Sequence, residues 1–426
     1  MSQQHSHGAT RREFIQGATA AAVGTAALGV PGFTGAYAQG SDEIRVGLVG
    51  CGGRGTGAAV NALNAAPGVR VVALADAFQD RLDACRQRLA KQKPETATVA
   101  EDHCFVGLDA YQELLKTEVN YVILASPPGF RPTHIAAGLE AGKHVFAEKP
   151  VAVDSAGVRK CLSLVDEFSK RGLAIGAGTQ YRHFDPYLQS MRRIHDGAIG
   201  KLVGARGFYN TGELWHHEPK PEWTELENQV RNWLYYTWLS GDHLVEQAIH
   251  NVDALNWAFN AHPLKAIGTG GRLVRTAPEF GHIYDHFAIV YEYPDEAFAS
   301  MMCRQQNGCD KKVANEFSGP NGTAYVLPEY HITGPNAWKY EAEPNDMYVQ
   351  EHTDFIESIR AGKPVNELKM VAESTLTAIM GRMSAYSGRT ITWEDALNSP
   401  EDLMPPQLSW GPIPTPPVPL PGVETD

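Results

Sequence analysis

The segment Gly50–Gly55 constrains the fold of this chain more than any other, because Gly-Cys-Gly-Gly-Arg-Gly matches the pattern Gly-x-Gly-x-x-Gly. An apolar, strand-like run at residues 44–49 precedes it, and a helix-like stretch at residues 55–65 follows it. In such a turn one glycine permits the tight bend, one lets the backbone approach a pyrophosphate, and one lets the helix pack on the strand. We therefore predict a dinucleotide-binding βαβ unit whose turn residues hold the cofactor: Gly50, Gly52, Gly53, Arg54 and Gly55.

Asp76 extends this pattern. It ends a second strand-like run, residues 69–75, about 20 residues after the last of these glycines. A carboxylate at this place accepts hydrogen bonds from the ribose hydroxyls of the adenosine and repels a 2′-phosphate. The spacing therefore predicts NAD in preference to NADP. The alternative interpretation is a glycine-rich turn in an α/β domain that binds no nucleotide.

Strands and helices continue to alternate through the first half of the chain. Strand-like runs at residues 121–125 and 144–147 flank a helix-like stretch at residues 133–141. Such alternation is typical of a parallel sheet built from βαβ units.

The second half has a different order of elements. Strand-like runs at residues 287–293 and 297–303 follow one another, and helix-like stretches come later, at residues 351–361 and 370–386. This order predicts an α+β unit with a largely antiparallel sheet. The last residues, 396–426, are rich in proline and predict an extended tail, either lying on the surface or loose.

The first 38 residues have the features of an export signal. Arg11 and Arg12 precede a soft apolar stretch, residues 17–30, and Ala36-Tyr37-Ala38 matches the small-x-small pattern of a cleavage site. Paired arginines before a weakly hydrophobic run are typical of the twin-arginine route. We expect the twin-arginine machinery to export the folded protein to the periplasm. The alternative, an ordinary first helix, is disfavoured by the glycine content.

Charge and cysteine content exclude several kinds of partner. Lys and Arg total 37 against 49 Asp and Glu, which gives a formal net charge of -12. Such a surface repels phosphate backbones and anionic lipid, so we expect no nucleic acid partner and, after cleavage, no membrane. Six cysteines in 426 residues do not form a disulfide scaffold. Cys303 and Cys309 flank a predicted turn and are either disulfide-bonded across it or free.

Residues 144–150, His-Val-Phe-Ala-Glu-Lys-Pro, carry a family resemblance. Together with the glycine turn and with Ser126-Pro127-Pro128, this segment resembles the glucose–fructose oxidoreductase / inositol dehydrogenase / MocA family (Gfo/Idh/MocA). The resemblance implies an α/β fold with an N-terminal Rossmann domain at residues 39–175. It also implies a C-terminal α+β domain at residues 176–395, whose large, mostly antiparallel open sheet joins the subunits of a homo-oligomer.

The same resemblance implies the catalytic residues. Lys149 would lie beside the nicotinamide and the reacting hydroxyl. In Asp242–Asp253, His250 falls on the family's catalytic histidine, and Glu246 stands where the family has aspartate. Residues four apart share one face of a helix, so Glu246 and His250 can reach one substrate. The resemblance further implies cofactor contacts from Ser126, Pro127, His134, Glu148, Lys149, Gln180 and Arg182.

Other interpretations of this region remain open. His243, Glu246 and His250 lie at i, i+3 and i+7 of a predicted helix, which is compatible with a metal site, although no H-E-x-x-H motif supports one. Aromatic rings pack on the C–H faces of sugars, so Trp233 and Tyr236 are candidate substrate contacts; ordinary core packing is the alternative. Asp253, in the same region, is a further candidate substrate contact. The sequence contains no G-x-S-x-G motif, which argues against a serine hydrolase.

These features predict an NAD(P)-dependent oxidoreductase that acts on a hydroxyl of a sugar, polyol or glycoside. Free NAD is not expected in the periplasm, so the cofactor should be loaded before export and held tightly. The first alternative is an NAD-dependent glycoside hydrolase or lyase, which oxidises its substrate transiently and eliminates the glycosidic bond. The second is a cofactor-bearing binding protein without turnover.

Overall fold

The computed structural model describes residues 42–423. The predicted export signal at residues 1–38 lies outside the described residues. Within residues 42–423, none of the helices combines the length and the apolar character needed to cross a bilayer.

The first sheet has six parallel strands in the order β3-β2-β1-β4-β5-β6. Its strands are β1 (Ile44–Val49), β2 (Val69–Asp76), β3 (Cys104–Val106), β4 (Tyr121–Leu124), β5 (His144–Ala147) and β6 (Ile175–Ala177). The strand order reverses between β1 and β4, and ligands of such sheets bind at the carboxyl ends of the strands at this reversal. Both the glycine turn after β1 and Ser126 after β4 lie there.

Helices connect these parallel strands, as the alternating pattern predicts. They are α1 (Gly53–Ala65), α2 (Gln79–Gln92), α3 (Ala110–Lys116), α4 (Arg131–Glu140) and α5 (Ser155–Lys170). The first helix begins two residues earlier than predicted, because Gly52 is still extended, with φ −68° and ψ −173°, and Gly53 is already helical.

The second sheet has nine strands in the order β14-β13-β12-β11-β7-β10-β9-β8-β15. Only β7 and β10 pair in parallel; the other neighbours are antiparallel. The strands are β7 (Gly204–Thr211), β8 (Lys265–Gly271), β9 (His286–Glu292), β10 (Phe298–Gln305), β11 (Lys312–Gly319), β12 (Gly322–Val326), β13 (Tyr330–Ile332), β14 (Trp338–Lys339) and β15 (Ile391–Thr392). The predicted fold class, a parallel Rossmann sheet followed by a mostly antiparallel sheet, is confirmed.

The helices of the second half are α6 (Asp185–His195), α7 (Glu225–Arg231), α8 (Thr237–Ser240), α9 (His243–Glu246), α10 (Ile249–Phe259), α11 (Met347–Arg360), α12 (Leu368–Ser387) and α13 (Trp393–Asn398). Several of them pack on the second sheet, and another, α11, packs on the first. Helix α12 is the longest of them and largely buried, and its apolar side chains share one core with β8, β9 and β10.

Helix α11 returns to the first sheet although it follows the second sheet in the sequence. Its Phe355, Ile356 and Ile359 are buried in one cluster with Ile44 and Val46 of β1. The chain therefore completes the core of its dinucleotide-binding half with a helix from its second half, and the described residues, 42–423, form one compact unit.

The proline-rich tail was predicted to begin at residue 396, but helix α13 continues to Asn398; from Ser399 to Val423 the chain has neither helix nor strand and lies on the body of the protein. The carboxylate of Glu401 pairs with the buried Arg382, and the N–H of Leu403 donates to Asp154 Oδ2 at 2.8 Å. Further along, Tyr284 donates its hydroxyl to the carbonyl of Pro419 at 2.8 Å. Side-chain and backbone bonds thus hold the tail at several points along its length.

Candidate active site

The glycine turn has the geometry that its sequence predicts. Gly50 has φ +97°, and a Cβ built on it would lie 2.5 Å from the backbone nitrogen of Ser126. A Cβ on Gly55 would lie 1.8 Å from the carbonyl oxygen of Gly50, so only glycine lets α1 approach β1 this closely. A Cβ on Gly53 would meet no atom within 4 Å. Open space therefore faces the N-terminus of α1, where free N–H groups favour an anion such as a pyrophosphate.

Asp76 braces this turn. Its Oδ2 accepts a hydrogen bond from the N–H of Cys51 at 2.6 Å, and its Oδ1 accepts one from the N–H of Phe78 at 2.9 Å. Burial raises the pKa of the Asp76 carboxyl, although these hydrogen bonds and the nearby Arg81 act against the shift. Asp76 therefore shapes the glycine turn as well as facing the cleft beside it.

The cleft beside the turn is the dinucleotide cleft. Its Rossmann wall includes Gly50, Gly52, Asp76, Pro127 and His134 among the predicted residues. Further lining residues, which the sequence did not single out, are Phe78, Arg81, Leu108, Tyr111, Phe130 and Val230. Trp233 also lines it, so residues of the second half close the side opposite the glycine turn.

A second cleft, the reaction cleft, adjoins the first. Both clefts share Ala125, Ser126 and Trp233. The predicted residues that line the reaction cleft are Arg54, Ser126, Glu148, Lys149, Gln180, Trp233, Glu246 and His250. The structure thus brings together the three predicted catalytic side chains, next to a cleft suited to a dinucleotide.

Lys149 is held by Glu246 in this cleft. The ammonium Nζ donates to Glu246 Oε1 at 2.8 Å and to the backbone carbonyl of Glu246 at 2.5 Å. Each of the two side chains is 12% exposed, so the pair is poorly solvated yet reachable from the cleft. Lys149 follows β5 and Glu246 ends α9, so the ion pair joins the two halves of the chain.

His250 faces the same cleft from the first turn of α10. Burial lowers its pKa well below the ordinary value, and the positive charges of Lys149 and Arg54 lower it further. Its imidazole is therefore neutral near neutral pH and can accept a proton.

The predicted single helix through this region is wrong. Helix α9 ends at Glu246, and α10 begins at Ile249. His243 points into the core, where its ring lies 5.1 Å from that of Phe287, whereas Glu246 and His250 line the reaction cleft. The three residues weighed as an alternative metal site do not share one face, and no group of three His, Cys, Asp or Glu residues within residues 42–423 is arranged to hold a metal ion.

Asp242, immediately before α9, sets the direction of this segment. It is fully buried with φ +72°, which is strained for a residue other than glycine. Its Oδ2 accepts hydrogen bonds from the N–H of Tyr284 at 2.8 Å and the hydroxyl of Tyr386 at 2.5 Å. These contacts fix the start of the short helix that carries Glu246.

Arg54 of the glycine turn forms ion pairs with two carboxylates. Its Nε lies 2.5 Å from Glu148 Oε1, and its NH2 lies 3.3 Å from Glu351 Oε1. The guanidinium also lies 4.9 Å from the ring centre of Tyr348, which lines the reaction cleft. Burial and the neighbouring Glu148 raise the pKa of Glu351 well above its usual value. No sequence pattern singled out Tyr348 or Glu351, because both come from α11, far along the chain.

Arg131 is another residue of the site that the sequence did not single out. It is buried in the wall of the reaction cleft, and its guanidinium donates to the carbonyls of Ser126, at 2.5 Å, and Pro150. Desolvation lowers its pKa to about 10. Arg131 thereby ties the Ser126 loop to the loop that follows Lys149. Its only signal in the sequence was its place in the loop after a predicted strand.

Of the predicted residues, Gly53 and Gly55 line neither cleft, and neither do three predicted side-chain contacts: Arg182, Tyr236 and Asp253. Arg182 makes a bidentate pair with Asp253, at 2.8 and 2.9 Å, and Asp253 also accepts a hydrogen bond from Ser374 at 2.7 Å. These two side chains therefore satisfy each other within the protein. Tyr236 is buried, and its hydroxyl accepts a hydrogen bond from Asn228 at 3.5 Å.

Two other predicted residues have structural partners of their own. His134 shares a hydrogen bond with the hydroxyl of Ser126 at 3.0 Å, and burial lowers the pKa of His134 to about 3, so its ring is neutral.

The two cysteines that flank the predicted turn are not joined by a disulfide. Cys303 is buried, Cys309 is exposed, and both are free thiols.

Parallel strands, a glycine turn at the reversal of strand order and a lysine at the adjoining cleft define a nicotinamide-dependent oxidoreductase. The family model for the oxidoreductase family with an NAD-binding Rossmann fold matches residues 44–179, and the model for the GFO/IDH/MocA C-terminal domain matches residues 187–325. Together they cover more than half of the sequence. The chain belongs to the Gfo/Idh/MocA family.

Individual relatives are distant. Inositol 2-dehydrogenase from Rubrobacter xylanophilus is 27% identical over 296 residues, which cover 68% of this chain and 72% of that protein. Glycosyl hydrolase family 109 protein 4 from Phocaeicola vulgatus is 29% identical over 197 residues, or 45% of this chain and 35% of that protein. Among solved structures, scyllo-inositol dehydrogenase from Lactobacillus casei superposes with a TM-score of 0.62 at 19% identity and covers 82% of this chain and 98% of its own.

Proposed function

We propose that this oxidoreductase transfers a hydride between a hydroxyl-bearing carbon of a sugar, polyol or glycoside and NAD held in the dinucleotide cleft. One observation carries the proposal: Lys149, Glu246 and His250 meet in a cleft that adjoins the dinucleotide cleft through Ala125, Ser126 and Trp233. The distant relationship to an inositol 2-dehydrogenase supports a polyhydroxylated substrate.

The side chains divide the acid–base work. Neutral His250 accepts the proton of the substrate hydroxyl, and the ammonium of Lys149 donates a hydrogen bond to the same oxygen as negative charge develops on it. Glu246 holds Lys149 in place through its carboxylate and its backbone carbonyl. When bound, the nicotinamide supplies the hydride acceptor. In the reverse direction His250 returns the proton to the carbonyl oxygen.

NAD is the proposed cofactor because Asp76 faces the dinucleotide cleft, where a 2′-phosphate would be repelled. Arg81 lines the same cleft and is the residue through which NADP would gain affinity. Titration of the purified protein with each dinucleotide tests the preference. Tighter binding of NADP would contradict it.

The substrate can be found with the protein carrying its bound cofactor. Sugars, polyols and glycosides are added one at a time, and the near-ultraviolet absorbance of reduced nicotinamide is followed. We expect a change with one class of these compounds in the wild-type protein and none in Lys149→Met, which should still bind the cofactor. An equal response in both proteins, or none across the panel, contradicts the proposal.

The second candidate is a glycoside hydrolase or lyase that oxidises its substrate transiently. The relationship to a glycosyl hydrolase family 109 protein favours it. Oxidation of a hydroxyl to a ketone would acidify the neighbouring C–H bond, and loss of that proton would expel the glycosidic oxygen as an alcohol. In a hydrolase water would then add to the double bond, and in both cases the hydride would return to the carbonyl carbon. Cleavage of a glycoside without a second substrate and without net reduction of the cofactor would support this candidate over a net oxidoreductase.

The proposed location is the periplasm, reached by the twin-arginine route. Arg11 and Arg12 support it. A nicotinamide enzyme placed there must carry its cofactor with it, so we expect the exported protein to contain NAD(H) after purification. Cell fractionation of the full chain and of a variant with Arg11→Lys and Arg12→Lys tests the route; equal export of both would contradict it.

The proposed oligomer contact is the open face of the second sheet. Ile267, Val290, Phe298 and Met302 are exposed on adjacent strands β8, β9 and β10. A second copy of this chain would cover them, because apolar side chains in such a patch gain from burial. Sedimentation of the wild-type protein and of Phe298→Glu tests this contact. The molecular mass of the assembly should be lower for the variant than for the wild type, and a monomeric wild-type protein would contradict the contact.

A further inference from the structure

We propose that helix α7 and the proline-rich tail form a clasp, residues 223–233 and 401–415, which closes the dinucleotide cleft at its adenosine end and slows release of the cofactor. This inference rests on the proposed function, because it assumes that a nicotinamide dinucleotide occupies the cleft. It concerns how long the cofactor stays, which the glycine turn alone does not determine.

The clasp supplies one wall of the cleft. Val230 and Trp233 line it together with Gly50, Gly52 and Asp76. A dinucleotide lying on the glycine turn would therefore border the clasp as well as the Rossmann sheet. Movement of α7 away from the first sheet would widen the cleft on this side.

Arg231 fastens α7 to the Rossmann half. Its guanidinium makes two hydrogen bonds to Asp80, at 3.1 and 3.2 Å, and one to Glu227, at 2.8 Å. The same group lies 3.9 Å from the ring centre of Phe78, two residues after Asp76. The Arg231 side chain is 13% exposed but that of Asp80 is 66% exposed, so water screens the ion pair, and the packing of the guanidinium on the Phe78 ring is the better shielded contact.

The tail holds α7 from the other side. The N–H of Leu226 donates to the carbonyl of Gly411 at 3.1 Å, and the N–H of Ile413 donates to Glu225 Oε2 at 2.9 Å. The ring of Trp410 lies 5.6 Å from that of Phe78. Phe78 is thus covered by Arg231 and Trp410 together, and both α7 and the tail meet at the residue that borders the adenosine end of the cleft.

Proline suits this role. A chain with fixed φ angles loses less conformational entropy when it is held in an extended form. The tail bonds mostly through its own backbone groups, which leaves few side chains to order. A proline-rich segment can therefore brace α7 at low entropic cost.

The test measures release of the cofactor from the full-length protein. Protein loaded with NADH is mixed with excess NAD, and the loss of bound-nicotinamide fluorescence gives the dissociation rate. We expect Arg231→Gln to release NADH about tenfold faster than wild type, and Trp410→Ala about threefold faster, since each loses only part of the clasp. Trp410 is 43% exposed and lies outside the three hydrophobic cores, so we expect its replacement to leave the protein folded.

Arg193→Gln is the matched control. Arg193 lies 4.0 Å from the ring centre of Trp338, at the far edge of the second sheet, and repeats the cation–aromatic contact away from the cleft. It should release NADH at the wild-type rate. Release within twofold of wild type in both Arg231→Gln and Trp410→Ala, with NADH bound at the start, overturns the clasp. A wild-type protein that binds neither NAD nor NADP overturns the proposed function and the clasp with it.

Discussion

The ammonium of Lys149 makes two hydrogen bonds to one residue, Glu246, through its carboxylate at 2.8 Å and its backbone carbonyl at 2.5 Å. The backbone bond does not depend on the identity of the Glu246 side chain. The carboxylate bond does, and it supplies the opposite charge in a poorly solvated cleft. The backbone carbonyl of Glu246 therefore positions the ammonium of Lys149, and the carboxylate of Glu246 neutralises its charge.

Shortening or neutralising this side chain separates the two contributions. We expect Glu246→Gln to lower kcat about 10²-fold with KM changed less, because the charge partner of Lys149 is lost while the backbone bond remains. Glu246→Asp keeps the charge on a shorter arm and should lose less activity. Steady-state kinetics on the substrate found by screening provides the measurement. If Glu246→Gln were as active as the wild-type protein, the carboxylate of Glu246 would have no role in the reaction.

The pH dependence of the reaction tests the state of His250. Since its pKa is held well below the ordinary value, the imidazole stays neutral as the pH falls from 8 to about 6. We expect kcat/KM to show no loss from protonation of a histidine over this range. A fall with an apparent pKa near that of free histidine, absent in His250→Gln, would show that His250 is an ordinary, solvated histidine.

The glycine turn gives a matched pair of stability variants. Gly55→Ala places a Cβ 1.8 Å from the Gly50 carbonyl oxygen and should lower the free energy of unfolding by about 3 kcal/mol. Gly53→Ala meets no atom within 4 Å and should change it by less than about 1 kcal/mol. Urea unfolding of both variants decides the matter, and equal losses would mean that α1 does not pack on β1 as described.

Because of His183, we expect the free energy of unfolding to decrease as the pH rises into the alkaline range. Burial disfavours its charged form, but the hydrogen bond to Asp354, at 2.6 Å, and the carboxylate of Glu367, 3.6 Å from Nε2, outweigh burial and raise its pKa to about 10. A raised pKa stabilises the folded state fully below the unfolded value of about 6.5, and this contribution disappears as the pH rises to about 10. We expect a loss of about 2 kcal/mol over this window, allowing for the half-exposed Asp354.

Denaturant unfolding at several pH values measures this loss. His183→Gln should be less stable than wild type at pH 6.5 and should lose less stability between pH 6.5 and 10. Parallel curves for the two proteins would show that another group is responsible.

The parts of the site that sequence predicts best are those encoded within a short segment. The glycine turn, Asp76 and the Glu148-Lys149-Pro150 run each combine a local pattern with a strand end, so the parallel sheet brings them to one edge. The predicted α+β second half also rests on the local order of strands. In contrast, the break between α9 and α10 depends on Asp242, whose strained backbone is held by Tyr284 and Tyr386. Helical periodicity contains no sign of such distant contacts.

The residues that sequence does not reveal arrive from far along the chain. Tyr348 comes from α11, and Val230 reaches the dinucleotide cleft from α7. Arg182 and Asp253 were both polar and near predicted site segments, yet they pair with each other. Whether a polar side chain faces a ligand or another side chain is decided by tertiary packing, which one sequence does not display.

The return of α11 to the first sheet limits how this architecture can be rebuilt. Phe355, Ile356 and Ile359 complete a core that begins at Ile44, so no single cut in the polypeptide separates a self-sufficient cofactor module from the remainder. An exchange of that module between relatives by one recombination breakpoint would pair a sheet with a foreign covering helix. A viable chimera needs two crossovers, one on each side of the second sheet, and this interleaving ties the inheritance of the cofactor half to that of the substrate half.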